Sequence, residues 1–494
     1  MHSFYLHPDY EALRSTWAKY QDFYDGDNER MKNYLIRFAL EDESPDGKAA
    51  WNQRKNRTFY VNFCEPIISI WVSMLFKRSV DTSEVADIFT DQELDNIDGE
   101  GNSINTFIKK WTTQYLLLGK SYAFVDSPNV LVRNQADANS AGLRPYGQIW
   151  SPTEVPDWQK ESINGSHIGK FTSIHDMRVE LPLRASLSHQ PTLQLVRRSF
   201  YLKDGAFTMQ RFIAKTQDST ASSTKQSAVM LFLSGAQNTT QWIPDGEEKS
   251  ISEVSEIPVT IMEDRSWLAE VIPQAHRYYN LDSNHDNIIY FNGYPRLAIS
   301  TNQSMASIMP ASESTVMKLP EGSTLTQISS DDPTASEKNR AEVRNMIFRI
   351  GLNQIRQLDG GSQAVQSADT IRQEKEFTVA LAKETVLNIQ QGVNSFVQHW
   401  AMFRKKKDYA NTIKLNTDIG TDDVNEFIQL YNAFATKVGQ YPETSKAMDK
   451  KLIEKVGLNS EDTSAIFDEI DNAEPAETSQ TQRANILNSF VNAR

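Results

Sequence analysis

Side chains suited to nucleophilic or metal chemistry are sparse in this sequence. Its one cysteine, Cys64, sits in the apolar run Phe63-Cys64-Glu65-Pro66-Ile67-Ile68. It reads as a small buried hydrophobe rather than a reactive thiol. One cysteine can form neither a disulfide within the chain nor a cysteine-based metal site. The eight histidines are His2, His7, His167, His175, His189, His276, His285 and His399. No pair has HExxH or another metal spacing, and His276 and His285 are too far apart on one expected helix to share an ion. Asp25-Gly26-Asp27-Asn28-Glu29 opens like a calcium loop, but Arg30 stands where glycine is needed and Ile36 where glutamate is needed. It reads as a solvated loop between helices. Nothing matches the phosphate-cradling G-x-x-x-x-G-K-[ST] pattern. Asp98-Gly99-Glu100-Gly101-Asn102 has no strand leading into it and reads as a surface turn. No G-x-S-x-G elbow is present. The expectation is a protein without catalysis, cofactor or metal.

Two charged runs are the remaining candidates. Arg404-Lys405-Lys406-Lys407 is the densest basic cluster. It is either a helix C-terminal charge favoured by the macrodipole or a contact for DNA phosphate or an acidic neighbour. Glu461 to Glu477 holds seven acidic residues and no basic one, as a solvated helix and loop or as a repulsive rim. Over 494 residues there are 51 basic and 64 acidic side chains, a formal net charge of -13. Firm grip on nucleic acid needs clustered Lys and Arg, so this balance argues against it. It is compatible with DNA sliding past a wall that repels phosphate. At 39% hydrophobic and 23% charged, with 23 Phe, 17 Tyr and 9 Trp, the composition is that of a folded protein with sizeable cores. Met1-His2-Ser3-Phe4-Tyr5 lacks the basic and apolar regions of a secretory leader, and no apolar run suggests a membrane span.

The elements that would position these groups fall in a distinctive order. Helical periodicity runs from Pro8-Asp9 to about Tyr24. It recurs over 53–77 through Tyr60, Phe63, Cys64, Ile67, Trp71, Met74 and Leu75, where Pro66 marks a kink or a new start. A third helix opens at Asn102-Ser103, passes Phe107, Ile108, Trp111, Tyr115 and Leu118, and ends at Gly119. The middle is β and loop: a strand over 121–125, then segments near 169–174, 191–201, 206–214 and 227–233. Helical spacing returns over 264–293, interrupted by Pro273. Short strands and turns fill 296–332. Asp332-Pro333-Thr334-x-x-Glu337 is a capping box opening a helix with Val343, Met346, Ile347, Ile350 and Ile355 on one stripe. Asp359-Gly360-Gly361-Ser362-Gln363 breaks it. Another helix follows from about Asp369 to Phe403, with Ala382, Val386, Ile389, Val393, Phe396, Val397, Trp400 and Phe403 on one stripe. A helical tail begins with an N-cap at Thr421. Two long helices flanking a compact insert make a stalk with a tip, which has little core unless neighbouring copies pack beside it.

This order resembles that of tailed-phage portal proteins, the head-to-tail connectors. Local phrases are similar as well: Pro8-Asp9-Tyr10 with Trp17 and Asp22; Arg57-Thr58-Phe59-Tyr60-Val61-Asn62-Phe63 followed by Val72-Ser73-Met74-Leu75-Phe76-Lys77-Arg78; Leu118-Gly119-Lys120-Ser121-Tyr122 through Pro128; Arg144-Pro145-Tyr146 leading to Asp157-Trp158; Leu268-Ala269 through His276-Arg277-Tyr278 and Asp282 to Tyr294-Pro295; and Leu319-Pro320-Glu321-Gly322. The likeness covers about 1–430.

The resemblance implies an α+β portal fold with an α/β wing (1–263), a first stem helix (264–293), a small α/β clip (294–332) and a second stem helix (333–357). A tunnel loop (358–368), a helix connecting wing and crown (369–420) and a helical crown (421–494) follow. It further implies a closed ring, a dodecamer in the family, in the virion at the capsid's portal vertex, assembled in host cytoplasm. Double-stranded DNA would pass through it during packaging and ejection. Partners would be the major capsid protein, a terminase and later adaptor, neck or tail proteins, with no membrane. The tunnel loop would bring Asp359, Gly360, Gly361, Ser362, Gln363 and Gln366 nearest the DNA, a plain surface connector being the other reading. Val343, Met346, Ile347 and Ile350 would pack the stem, against neighbours or inside the subunit. A minor capsid protein, or a packaging-associated enzyme without a recognisable active site, is the alternative.

Overall fold

The computed structural model describes residues 5–127, 144–163, 166–180, 194–215, 241–251, 254–293, 296–300, 324–328, 333–351, 368–406, 408–416 and 450. The chain divides into two compact units, Met1–Asp418 and Ile419–Arg494. The crown assignment, the acidic run 461–477 and the N-cap at Thr421 lie outside the described residues, as does the segment 227–233. The fold of the first unit is α+β.

Helices α1 (Pro8–Asp25), α2 (Asn28–Met31), α3 (Pro45–Arg57), α4 (Cys64–Leu75), α5 (Asp91–Asp95) and α6 (Ile104–Leu118) come first. Strands β1 (Lys120–Asp126), β2 (Tyr146–Trp150), β3 (Asp157–Ile163), β4 (Ser166–Glu180), β5 (Gln194–Lys203), β6 (Ala206–Lys215), β7 (Gln241–Pro244), β8 (Lys249–Ile251) and β9 (Val259–Glu263) follow. Then come α7 (Val271–Gly293), β10 (Arg296–Ser300), β11 (Thr324–Ile328), α8 (Pro333–Gly351) and α9 (Ala368–Phe403).

The first three expected helices are present, with one division. The periodicity over 53–77 is two helices, α3 and α4, joined by an extended link. Asn62 accepts from the backbone N–H of Cys64 and Glu65 at 3.0 and 3.1 Å, which starts α4 two residues before Pro66. Proline is tolerated there because the first N–H groups of a helix have no intrahelical acceptor. Pro273 holds the same place in α7. That helix begins at Val271 rather than near Asp264, because residues 264–267 are tied elsewhere: Asp264 N–H donates to Gly119 O at 2.8 Å and Trp267 N–H to Leu116 O at 3.0 Å. Gly119 closes α6 in the left-handed conformation, φ 73°. A Cβ there would also lie 2.6 Å from Asp264 O and Ser266 N, so glycine is required twice over.

Three sheets form. In the three-stranded sheet β2-β1-β9 the central β1 is buried along its whole length. Helix α6 covers it with Phe107 and Trp111, which meet Phe396 of α9 at ring centroid distances of 5.3 and 6.1 Å. Of the apolar stripe of α9 foreseen from spacing, Ala382 to Trp400 are buried, and Phe403 at its end is half-buried. The six-stranded sheet runs β3-β4-β5-β6-β7, with β8 paired to β6. It packs on the first through Phe200 and Phe207 against Phe124 and Trp150. The two-stranded sheet is the antiparallel pair β10-β11.

Candidate functional site

The feature that leaves the body is the run α7–β10–β11–α8. Helix α7 is rooted by Val271, Ile272, Ala275, Tyr278 and Tyr279, all buried. Over 284–290 its side chains are half-buried or exposed, with Ile289 at 47%. Helix α8 does the reverse: its first turns are open, and Val343, Ile347 and Gly351 are buried near its end. The two helices run back along each other. Arg340 pairs with Asp282, and Arg277 donates to Asn339 at 3.3 Å. Phe63 receives Tyr278 and Phe348 edge-on at 5.0 and 5.7 Å. Burial raises the Asp282 carboxyl above the usual range, and Arg340 draws it part of the way back.

Of the four stem-packing residues, Val343 is 2% and Ile347 0% exposed within this one chain. These two therefore pack inside the subunit and offer nothing to a neighbour. Ile350 is half-buried, and Met346, at 42% exposure, is the one with open surface. Between the helices, 296–300 pairs with 324–328 from Arg296↔Ile328 to Ser300↔Thr324. The segment 352–367, with Asp359, Gly360, Gly361, Ser362, Gln363 and Gln366, lies outside the described residues.

The root of this excursion holds a buried ion pair that sequence reasoning missed. Arg54 of α3 donates through Nε and Nη2 to both oxygens of Glu41, each at 2.7 Å. Nη1 reaches Ser283 Oγ of α7 at 2.9 Å, and Nη2 also reaches Ile36 O at 2.6 Å. The guanidinium stacks over Phe38 at 4.0 Å. Burial pushes the Glu41 carboxyl up, but Arg54, the Phe38 N–H and the Arg37 charge together hold it below its ordinary range. Next to it, His276 bonds Tyr34 O at 2.7 Å.

Two side chains of the basic cluster, Arg404 and Lys406, are engaged by the chain's own acids. Arg404 pairs with Glu93 of α5. Lys406 lies 2.6 Å from Asp87 Oδ2 and 3.1 Å from Asp87 O. Lys414 pairs with Glu84, and Lys414 and Asp81 exchange two backbone hydrogen bonds of 2.9 Å. Residues 404–406 and 408–416 thus lie as a strap across 81–93. Lys407 lies outside the described residues.

One row of side chains has the composition of a hydrolytic triad. Asp157, His175 and Ser199 are register partners across β3, β4 and β5. His175 Nδ1 and Ser199 Oγ are 2.8 Å apart, and His175 Nε2 lies 3.8 Å from Asp157 Oδ2. Ser199 is 4% exposed inside the sheet, so a substrate carbonyl has no path to Oγ. Burial, then Arg197, pushes the imidazole down to about 3, which makes it a poor base at neutral pH. The row is a polar ladder of the sheet. On the opposite face Arg198 grips Asp176 through Nε at 3.0 and 3.1 Å and Gln148 through Nη2 at 3.0 Å. Tyr146 donates to Asp126 at 2.9 Å. Arg198 thus ties the six-stranded sheet to β2, and Tyr146 ties β2 to β1.

Cys64 is fully buried, and burial pushes its thiol up to about 12. The Asp98 loop spends its amides on itself, with Glu100 and Asn102 N–H on Asp98 Oδ1 at 2.9 and 3.2 Å. Among the described residues no three His, Cys, Asp or Glu side chains converge as metal ligands, and no helix is long and apolar enough to cross a membrane. In comparisons with known proteins, no family model and no curated protein matches this chain.

Proposed function

We propose that the chain is the ring-forming subunit of a tailed-phage portal, a passive conduit for double-stranded DNA at one capsid vertex. The observation that supports this most is the α7–β10–β11–α8 excursion. Two long helices leave the body as a packed pair, carry an antiparallel strand pair between them and, among the described side chains, are buried at their root. Such an element gains its remaining burial from copies arranged around an axis. On this reading residues 1–263 are the wing, α7 and α8 the stem, and β10 and β11 part of the clip where a terminase, then adaptor or neck proteins, would dock. The tunnel loop over 358–368 would line the channel. The net charge of -13, repeated around a dodecamer, gives a wall on which phosphates find few deep wells. Arg404 and Lys406 would then act within the subunit rather than on DNA.

Sedimentation velocity tests the reading. The wild-type chain should run as a closed oligomer, and Met346→Asp, which alters open stem surface, should shift it toward monomer without lowering the subunit's melting temperature. Val343→Asp should instead unfold the subunit root. A wild-type chain that stays monomeric at tens of micromolar would overturn the proposal.

A further inference from the structure

Both ends of the α7–α8 excursion meet at one side chain. Trp71 of α4 is 2% exposed. Its Nε1 donates to Gly351 O at 2.8 Å, at the end of α8. Its ring also stands edge-on to Trp267, with centroids 4.2 Å apart and planes at 86°. Trp267 lies just ahead of α7 and is itself held by the Leu116 carbonyl at 3.0 Å. On the other side Gly351 lets the backbone of α8 lie directly on α4: a Cβ there would sit 2.4 Å from Ile67 Cδ1, one helical turn before Trp71.

We infer that Trp71 is a positioning residue, the pivot that fixes the tilt of the α7–α8 pair on the body. A buried indole N–H left without an acceptor is unfavourable, so its bond to Gly351 selects one position of α8 along α4. An edge-on aromatic pair has a preferred geometry, so Trp267 fixes the orientation of the indole that makes that bond. Entry and exit of the excursion are thereby coupled through one ring, although they are remote in sequence. The geometry stands by itself. Its meaning as the root of a portal stem rests on the function proposed above.

Hydrogen–deuterium exchange on the full-length protein tests the coupling. Trp71→Phe keeps an aromatic ring for Trp267 but removes the donor to Gly351 O. Exchange should quicken several-fold in peptides covering 343–351 and in those covering 266–275. Trp267→Leu leaves the Trp71–Gly351 bond chemically intact. Exchange over 343–351 should nevertheless rise, because the indole has lost its buttress. Trp267 is only half-buried, so this variant carries the test if Trp71→Phe is insoluble. A packing role alone would lower the melting temperature and spread faster exchange through α4 and α6. Wild-type exchange over 343–351 in Trp267→Leu would overturn the pivot. Rings in electron micrographs with uncoupled ends would sink the pivot alone. Coupled ends without rings would leave the pivot standing and sink its role in a stem.

Discussion

Gly351→Ala should destabilise the subunit, and Ile67→Val should rescue it. The added Cβ would lie 2.4 Å from Ile67 Cδ1, 3.1 Å from Cγ1 and 3.2 Å from Cγ2. An ordinary carbon contact is about 3.5–4.0 Å, so Cδ1 must retreat by more than an ångström while the other two give by a few tenths. Overpacking of this kind costs about 1–3 kcal/mol. Gly351 has a helical backbone, so alanine also gains about 0.4–1 kcal/mol through the unfolded chain. The net loss for Gly351→Ala is then about 1–2 kcal/mol. Ile67→Val alone removes Cδ1 and costs about 0.5–1.5 kcal/mol. Independent effects would sum to about 2–3 kcal/mol. In the double variant the new methyl occupies the space that Cδ1 has left, so the loss should be about 1 kcal/mol or less. Urea midpoints of the four proteins, with unchanged m-values, measure the coupling. Strict additivity would refute the claim that close approach of α4 and α8 is what demands glycine.

Arg54→Lys should cost about 3 kcal/mol in urea unfolding, because a lysine cannot reproduce the bidentate pair with Glu41; a change under about 1 kcal/mol would contradict that geometry. Arg404→Ala should lower stability by about 1–3 kcal/mol, since it strips the partner from a Glu93 side chain only 2% exposed. Lys406→Ala, at a solvent-screened pair, should change it by less than about 0.5 kcal/mol. His399 is held neutral, its imidazole pushed down to about 4 by burial against the pull of Glu256. The unfolded chain therefore binds the extra proton first as pH falls. The stability from His399 is full above about 6.5 and is lost from there down toward 4, at up to about 1.4 kcal/mol per pH unit. Burial raises the carboxyls of Asp126, Glu154 and Asp157, and these work in the opposite sense in both proteins. A comparison of wild type with His399→Gln isolates the histidine: the variant's stability should fall less between pH 7 and 4.5, and parallel curves would contradict the assignment.

Local chemistry made α6 legible. Ser103 caps it, Gly119 ends it, and Phe107, Ile108, Trp111 and Tyr115 recur at helical spacing on the buried side. The stripe of α9 was legible for the same reason. The link over 58–63 was not, because Tyr60, Phe63, Cys64 and Ile67 keep helical spacing across a break set by Asn62 and by Asn28, which accepts from Tyr60 N–H at 2.8 Å. The start of α7 was hidden because residues 264–267 are bound to the end of α6, far away in sequence. Spacing marked Val343, Met346, Ile347 and Ile350 as one stripe, but only tertiary packing decides that Val343 and Ile347 face their own chain while Met346 does not. The bonds of Arg54 to Ser283 and of Trp71 to Gly351 left no local signal, since those partners lie hundreds of residues on. For the same reason the sequence left Arg404 between a helix C-terminal charge and a contact for DNA phosphate or an acidic neighbour, its partner Glu93 being equally distant.

Electron micrographs of the purified full-length chain test the central claim most directly. Head-on class averages should show closed rings of one rotational symmetry, with an axial hole wide enough for a DNA duplex and a narrower stalk in side views. Dispersed monomers, or compact oligomers without a hole, would contradict the portal assignment.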